Sequence, residues 1–144
     1  MDKNIGAIVI IYKIEEGIYY YLLPTQTSGI VNIIGGGSKP EDKDSEANIR
    51  REIAEETSLR DNDYELKETS LIHGFTYGEN KPERAGKSWR NEVFIARVSP
   101  EVKIEPSNEI ESLDWYNADE AIKILSFNDM KEIFEKSVKI VEGK

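Results

Sequence analysis

The chain opens on two runs in which almost every position is apolar or aromatic, "IGAIVIIYKI" (5–14) and "IYYYLLP" (18–24), parted by "EEG" at Glu15 to Gly17. Continuous runs of this kind predict strands covered on both faces, and the triplet between them reads as a turn. "GIVNIIGGG" (29–37) predicts a further short strand that ends in Gly35, Gly36 and Gly37. Polar punctuation follows in "SKPEDKD". A helix then starts near Asp44 or Ser45, either a competent N-cap, and runs to about Thr57.

Three more β-like segments come next: "YELKETSLIHGFTY", "NEVFIARV" and "IESLDWY". The polar loop "GENKPERAGKS" separates the first two. The chain closes with "ADEAIKILS" and "DMKEIFEKSVKIV", where Met130, Ile133, Phe134, Val138 and Val141 recur at helical spacing and predict an amphipathic helix docked on the core. This order predicts one α+β domain over 1–144, an α/β/α sandwich. Its mixed sheet carries the acidic mid-chain helix on one side and the C-terminal helices on the core.

Charge narrows the partners. A net charge of −9 argues against a nucleic-acid polymer, whose backbone needs a cationic surface. Small anionic substrates stay open if a divalent cation supplies positive charge. The chain contains no cysteine, so disulfides, thiolate metal sites and cysteine nucleophiles are excluded together. The apolar run at Ile5 to Ile11 is too short to span a membrane and reads as a strand, which gives a cytoplasmic protein, monomer or homodimer, as the default expectation.

The candidate chemistry lies in "RREIAEETSL" (50–59). On a helix, positions i, i+3 and i+4 share a face, so Glu52, Glu55 and Glu56 point the same way, with Ile49 and Ile53 on an adjacent stripe. Three such charges repel unless a hard divalent cation with a preference for oxygen ligands sits among them. A solvated acidic face is the alternative. A calcium-loop reading from Asp44 fails, because Ile49 occupies the position where that loop turns on glycine. The glycines upstream favour a ligand, since they let backbone approach it closely.

With strand, glycine turn, loop and acidic helix in that order, "GSKPEDKDSEANIRREIAEETSL" from Gly37 to Leu59 resembles the box of the Nudix hydrolase family. Gly37, Arg51, Glu52, Ile53, Glu55, Glu56 and Leu59 match without a gap. Lys43 stands where the first glutamate of the box belongs, and Ser58 replaces its final glycine. Upstream, "NIIGGG" keeps the glycines of the family's usual Pro-Gly-Gly. The opening strands, "NEVFIARV" and the segment from "EIESLDWY" onward are similar to the family's flanking strands and closing helix, closest to hydrolases of dinucleoside tetraphosphates and nucleoside triphosphates.

The resemblance implies metal-dependent hydrolysis of a nucleoside diphosphate linked to another group, with Mg²⁺ or Mn²⁺ as cofactor and a nucleotide as substrate. It implies metal binding by Glu52, Glu55 and Glu56, joined by Glu109 with Glu111 in reserve, and an Arg51 that ties helix to loop through a carboxylate. Glu52 and Glu109 are the contenders for general base. Lys43 cannot accept a hydrogen bond from Arg51, so Glu41, Asp42 or Glu46 takes that place, or activity is reduced; a silent nucleotide sensor and a purely structural acidic domain are the competing functions. Gly36, Gly37, Lys39, Tyr77, Trp89 and Arg90 are candidate substrate contacts, Tyr77 and Trp89 through stacking on a base. Arg84 and Lys87 are further phosphate candidates. His73 and Trp115 read as packed side chains.

Overall fold

The computed structural model describes residues 5–76 and 88–143, and of residues 75, 76, 88 and 89 the backbone alone. Tyr77, Arg84, Lys87 and the side chain of Trp89 lie outside the described residues.

Strand β1 (Ile5–Glu15) is the centre of the sheet. One edge pairs in parallel with β5 (Ser88–Val98), from Ile5 against Arg90 to Tyr12 against Arg97. The other edge is divided between two antiparallel partners. Its first half meets β3 (Ile34–Gly37), Gly6 against Gly37 through Val9 against Ile34. Its second half meets β2 (Ile18–Gln26), Ile11 against Leu22 through Glu15 against Ile18. Strand β4 (Tyr64–Thr76) borders β5 and β6 (Ile110–Tyr116) borders β2, giving the order β4-β5-β1-β2-β6.

The apolar runs alternate their sides as strands do. Ala7, Val9, Ile11 and Leu22 pack with Ile49 and Ile53 of helix α1 (Ser45–Thr57). Ile8, Ile10, Tyr21 and Leu23 pack on the opposite face with α2 (Ala118–Ile124) and α3 (Asn128–Glu142), which contribute Ala121, Ile133, Phe134 and Val138. Phe134 meets Tyr21 edge-on at 5.2 Å between ring centroids. The molecule is therefore the α/β/α sandwich with a mixed sheet that the hydrophobic pattern predicts. Among the described residues, no helix is long and apolar enough to cross a membrane.

Helix α1 starts where its cap chemistry says it should: the Asp44 side chain accepts from the Ala47 amide at 2.8 Å. It ends at Ser58, whose φ of 66° is the left-handed conformation that glycine adopts freely. Serine holds that shape at a cost of about 1 kcal/mol, with its Oγ donating to the Glu105 carbonyl at 3.1 Å.

Segment 29–37 departs from its predicted extent, since only Ile34–Gly37 is strand. The Gln26 amide donates to the Ile30 carbonyl and the Gly29 amide to that of Gln26, so the chain turns there before Val31 bridges back to Thr25. Polar Asn32 donates its backbone amide to Pro24 and accepts from Ile33 through its side chain, so it takes part in no ladder.

At Gly35, φ is 156° and a Cβ would lie 2.3 Å from the Ala7 carbonyl oxygen and 2.7 Å from the Ile8 Cα. Both are backbone and cannot move aside. Gly35→Ala is expected to cost about 3 kcal/mol in urea denaturation. Gly29→Ala, with φ of 92° but nothing within 4 Å, is expected to cost only about 1 kcal/mol.

Candidate active site

The divided edge of β1 creates the site. Where β3 hands over to β2, the end of β2 leans away toward β6 and leaves a cleft of about 680 Å³. The acidic residues Glu52, Glu55, Glu56 and Glu109 line it, together with Gly35, Ile110 and five neutral polar residues from the end of β2, the turn after it and the loop before β6. Neither lysine nor arginine lines this cleft among the described residues. Glu111, one strand position beyond the cleft, does not take part.

Arg51 lies behind the carboxylates and holds the surroundings together. Its Nη1 donates to Glu52 Oε1 at 3.0 Å and Glu55 Oε1 at 3.2 Å. Its Nη2 donates to the Gly37 carbonyl at 3.0 Å and Asp42 Oδ2 at 2.8 Å, while Nε donates to Asp42 Oδ1 at 3.1 Å. This is a two-pronged guanidinium–carboxylate contact, with the Asp42 side chain only 4% exposed. Arg51 in turn holds the Asp42 carboxyl below its ordinary pKa. Asp42 thus takes the hydrogen bonds that Lys43, one position along, cannot accept. Lys43 is exposed and lines a separate hollow of about 320 Å³ with Arg90.

Glu56 is the carboxyl under greatest constraint. Its Oε2 accepts from the Gly35 amide at 3.2 Å. Burial, then a hydrogen bond and charge repulsion from Glu52, push its pKa from the ordinary 4.5 up to about 9. A carboxyl so placed keeps its proton or gives it up to a cation. The donor set is entirely oxygen, which suits a hard divalent ion. Among the described residues no three acidic groups already converge closely enough to hold one ion, since Arg51 draws Glu52 and Glu55 to itself. Glu52 and Glu56 fit such an ion in place of the proton on Glu56.

The other candidates fall at different distances from this centre. Gly36 lies against Glu52, whose Oε1 would be 2.5 Å from an added Cβ, and Gly37 is occupied by Arg51; Gly35 is the glycine that faces the cleft. Lys39 sits at the rim, its Nζ 3.9 Å from Glu55 Oε2. Arg90 is exposed, away from the carboxylates. His73 is buried, with Nε2 2.7 Å from Asp129 and Nδ1 3.0 Å from Asn91. Trp115 is half-buried on the α1 side, with the Lys13 ammonium 4.5 Å from its ring. Sequence reasoning missed Gln26, Thr27, Ser28, Ser107 and Asn108, the neutral lining of the cleft; short polar loops carry no periodic or spacing signal.

Two predictions follow from this geometry. Asp42→Ala is expected to lose about 2 kcal/mol, because it leaves a largely buried guanidinium short of its main partner, whereas Lys43→Ala stays within about 0.5 kcal/mol; chemical denaturation of both variants measures the difference. For Glu56, the folded state keeps a proton between pH 4.5 and about 9 that the unfolded state releases. Stability of the metal-free protein therefore falls as pH rises through that window. In chelator, Glu56→Gln is expected to flatten the dependence of Tm on pH between 6 and 9.

Comparison with known proteins identifies the domain. The family model of the NUDIX domain matches residues 2–136. A crystal structure of an Ap4A hydrolase binary complex from C. elegans superposes with a TM-score of 0.80 at 20% identity, covering 97% of this chain and 98% of that one. The dihydroneopterin triphosphate pyrophosphohydrolase of E. coli superposes with a TM-score of 0.76 at 15% identity, covering 93% and 94%. The NUDIX domain of Shewanella oneidensis NrtR, complexed with ADP ribose, gives 0.76 at 13% identity over 98% and 90%. No curated protein matches the sequence. With the domain model matched over nearly its whole length, and Arg51, Glu52, Glu55 and Glu56 set on the helix that the motif describes, the chain belongs to the NUDIX domain family, the Nudix hydrolases.

Proposed function

We propose that this protein hydrolyses a pyrophosphate linkage in a nucleoside diphosphate joined to another group, a nucleoside triphosphate or dinucleoside polyphosphate. The observation that carries the reading is the meeting of Glu52, Glu55, Glu56 and Glu109 on one cleft that, among the described residues, no cationic side chain lines. Such a cleft repels a phosphate chain on its own and accepts one together with divalent metal. The named activities of the C. elegans and E. coli neighbours support this substrate class.

Glu52 and Glu56 would hold Mg²⁺ or Mn²⁺, with Glu55 and Glu109 completing the set. When bound, the ion supplies positive charge against the phosphate chain and acidifies water. Arg51 keeps the helix registered on the glycine strand through Gly37 and Asp42. Gly35 presents its amide to Glu56 from a backbone packed too closely on Ala7 and Ile8 to carry a side chain. In the reaction a water oxygen bonds to phosphorus, the bridging P–O bond breaks, and the water proton passes to a carboxylate, Glu52 or Glu109. Glu109, exposed and with no ion pair among the described residues, is the freer of the two.

A silent nucleotide-binding role is the second reading, and the contacts of Arg51 with Glu52 and Glu55 favour it, because the guanidinium occupies one oxygen of each carboxylate and competes with an ion for their charge. A panel of nucleotides with Mg²⁺ and Mn²⁺ distinguishes the two. Release of phosphate or pyrophosphate is expected, with kcat lowered at least a hundredfold by Glu56→Gln and about 10²–10⁴-fold by removal of the general base. Turnover untouched by Glu56→Gln overturns the metal-site assignment. Calorimetric binding without turnover establishes the silent role instead.

A further inference from the structure

The cleft has two unlike walls. Opposite the carboxylates, Gln26, Thr27 and Ser28 at the end of β2 and Ser107 and Asn108 before β6 form a neutral polar lip. These stretches are neighbours because β2 and β6 pair up to Gln26 against Ile110, with a register shift at Thr25/Gln26 that lets the end of β2 bend. From this lip we infer, resting on the reading above, that Gln26 and Asn108 are specificity-determining residues, which read the uncharged moiety attached to the diphosphate by hydrogen bonding.

Three features support this assignment. First, charge divides the labour: among the described residues the lip has no cation with which to grip phosphate, so its chemistry suits a neutral partner with donors and acceptors side by side, a base edge or a sugar hydroxyl. Second, the side-chain amides of Gln26 and Asn108 make no hydrogen bond among the described residues, so each keeps a donor and an acceptor for a ligand. A site that offers such groups discriminates strongly against a ligand that leaves them unpaired.

Third, the lip is held in place before any ligand arrives. The Gln26 amide donates to Ile30 at 2.8 Å and the Gly29 amide to Gln26 at 2.8 Å. Beyond the turn, Val31 is clamped twice by Ser126: the Ser126 amide donates to the Val31 carbonyl at 3.0 Å, and the Val31 amide donates to Ser126 Oγ at 2.9 Å. The other half of the lip is tied to the end of α1, where the Glu105 amide donates to Thr57 at 2.9 Å. A wall fixed in this way lowers the ordering cost of binding.

The test is kcat/KM for wild type, Gln26→Ala and Asn108→Ala on the four ribonucleoside triphosphates and one 2′-deoxy counterpart, with Mn²⁺ affinity followed by calorimetry. Each variant is expected to lose roughly three- to tenfold on the preferred nucleotide, through KM, and less on the others. Preference among bases narrows if the lip reads the base edge; the ribose-over-deoxyribose ratio falls if it reads the sugar. Mn²⁺ affinity stays at the wild-type value in both variants. Equal loss on every nucleotide, or none, overturns the inference while leaving the hydrolase reading intact. A wild type that turns over neither these nucleotides nor a dinucleoside polyphosphate overturns the hydrolase reading and this inference with it.

Discussion

Arg51 is the charge on which the site depends. Three glutamates within five positions of one helix repel each other, and a glycine strand beside them offers little side-chain packing of its own. A single guanidinium answers both problems, bonding two of the carboxylates on one side and the Gly37 carbonyl and Asp42 on the other. Helix, loop and strand are thereby fixed to one planar group whose geometry matches a carboxylate fork. A lysine there would supply the charge but not the simultaneous contacts.

The same arrangement explains how a cleft this acidic exists in a stable fold. Arg51 offsets Glu52 and Glu55 from behind, and Glu56 keeps a proton because burial and Glu52 make its ionised form costly. The cleft itself receives neither cation nor proton donor from a basic side chain among the described residues. Its electrostatics are therefore incomplete by construction and respond to whatever positive charge enters. The neutral lip does not share that dependence, so the two sides of the cleft are chemically separable.

Much of this was legible in the sequence, for physical reasons that differ by element. The continuous apolar run of β1 could only be a strand with both faces covered, and the structure buries Ala7 to Ile11 between α1 on one side and α2 with α3 on the other. Helix α1 was legible at both ends, through the Asp44 cap and the periodicity of Ile49 and Ile53. The acceptor for Arg51 was narrowed to three residues by charge, but which of them reaches it depends on loop geometry. Asp42 does so because its own carboxylate also accepts from the Lys39 amide, which closes a turn and aims it inward. Segment 29–33 misled because its apolar residues serve a turn, with Val31 and Ile33 filling the core from a non-strand backbone. The lip was invisible for a related reason: Gln26 and Asn108 are 82 positions apart and meet only through the pairing of β2 with β6.

Ser58 shows how a departure from a motif can be absorbed. Glycine serves there because α1 ends in a left-handed residue, and the serine keeps that conformation, with its amide still donating to Ala54. The side chain that makes the conformation costly also supplies a hydroxyl, which bonds the Glu105 carbonyl beside the Glu105–Thr57 backbone bond. Those two bonds anchor the loop that carries Ser107, Asn108 and Glu109 into the cleft. What the chain loses in backbone ease at the end of α1 it recovers as a second tether for the loop opposite. The position of Glu109 relative to Glu52 and Glu56 is then set from α1 itself, so all the acidic residues of the cleft are referred to one rigid element.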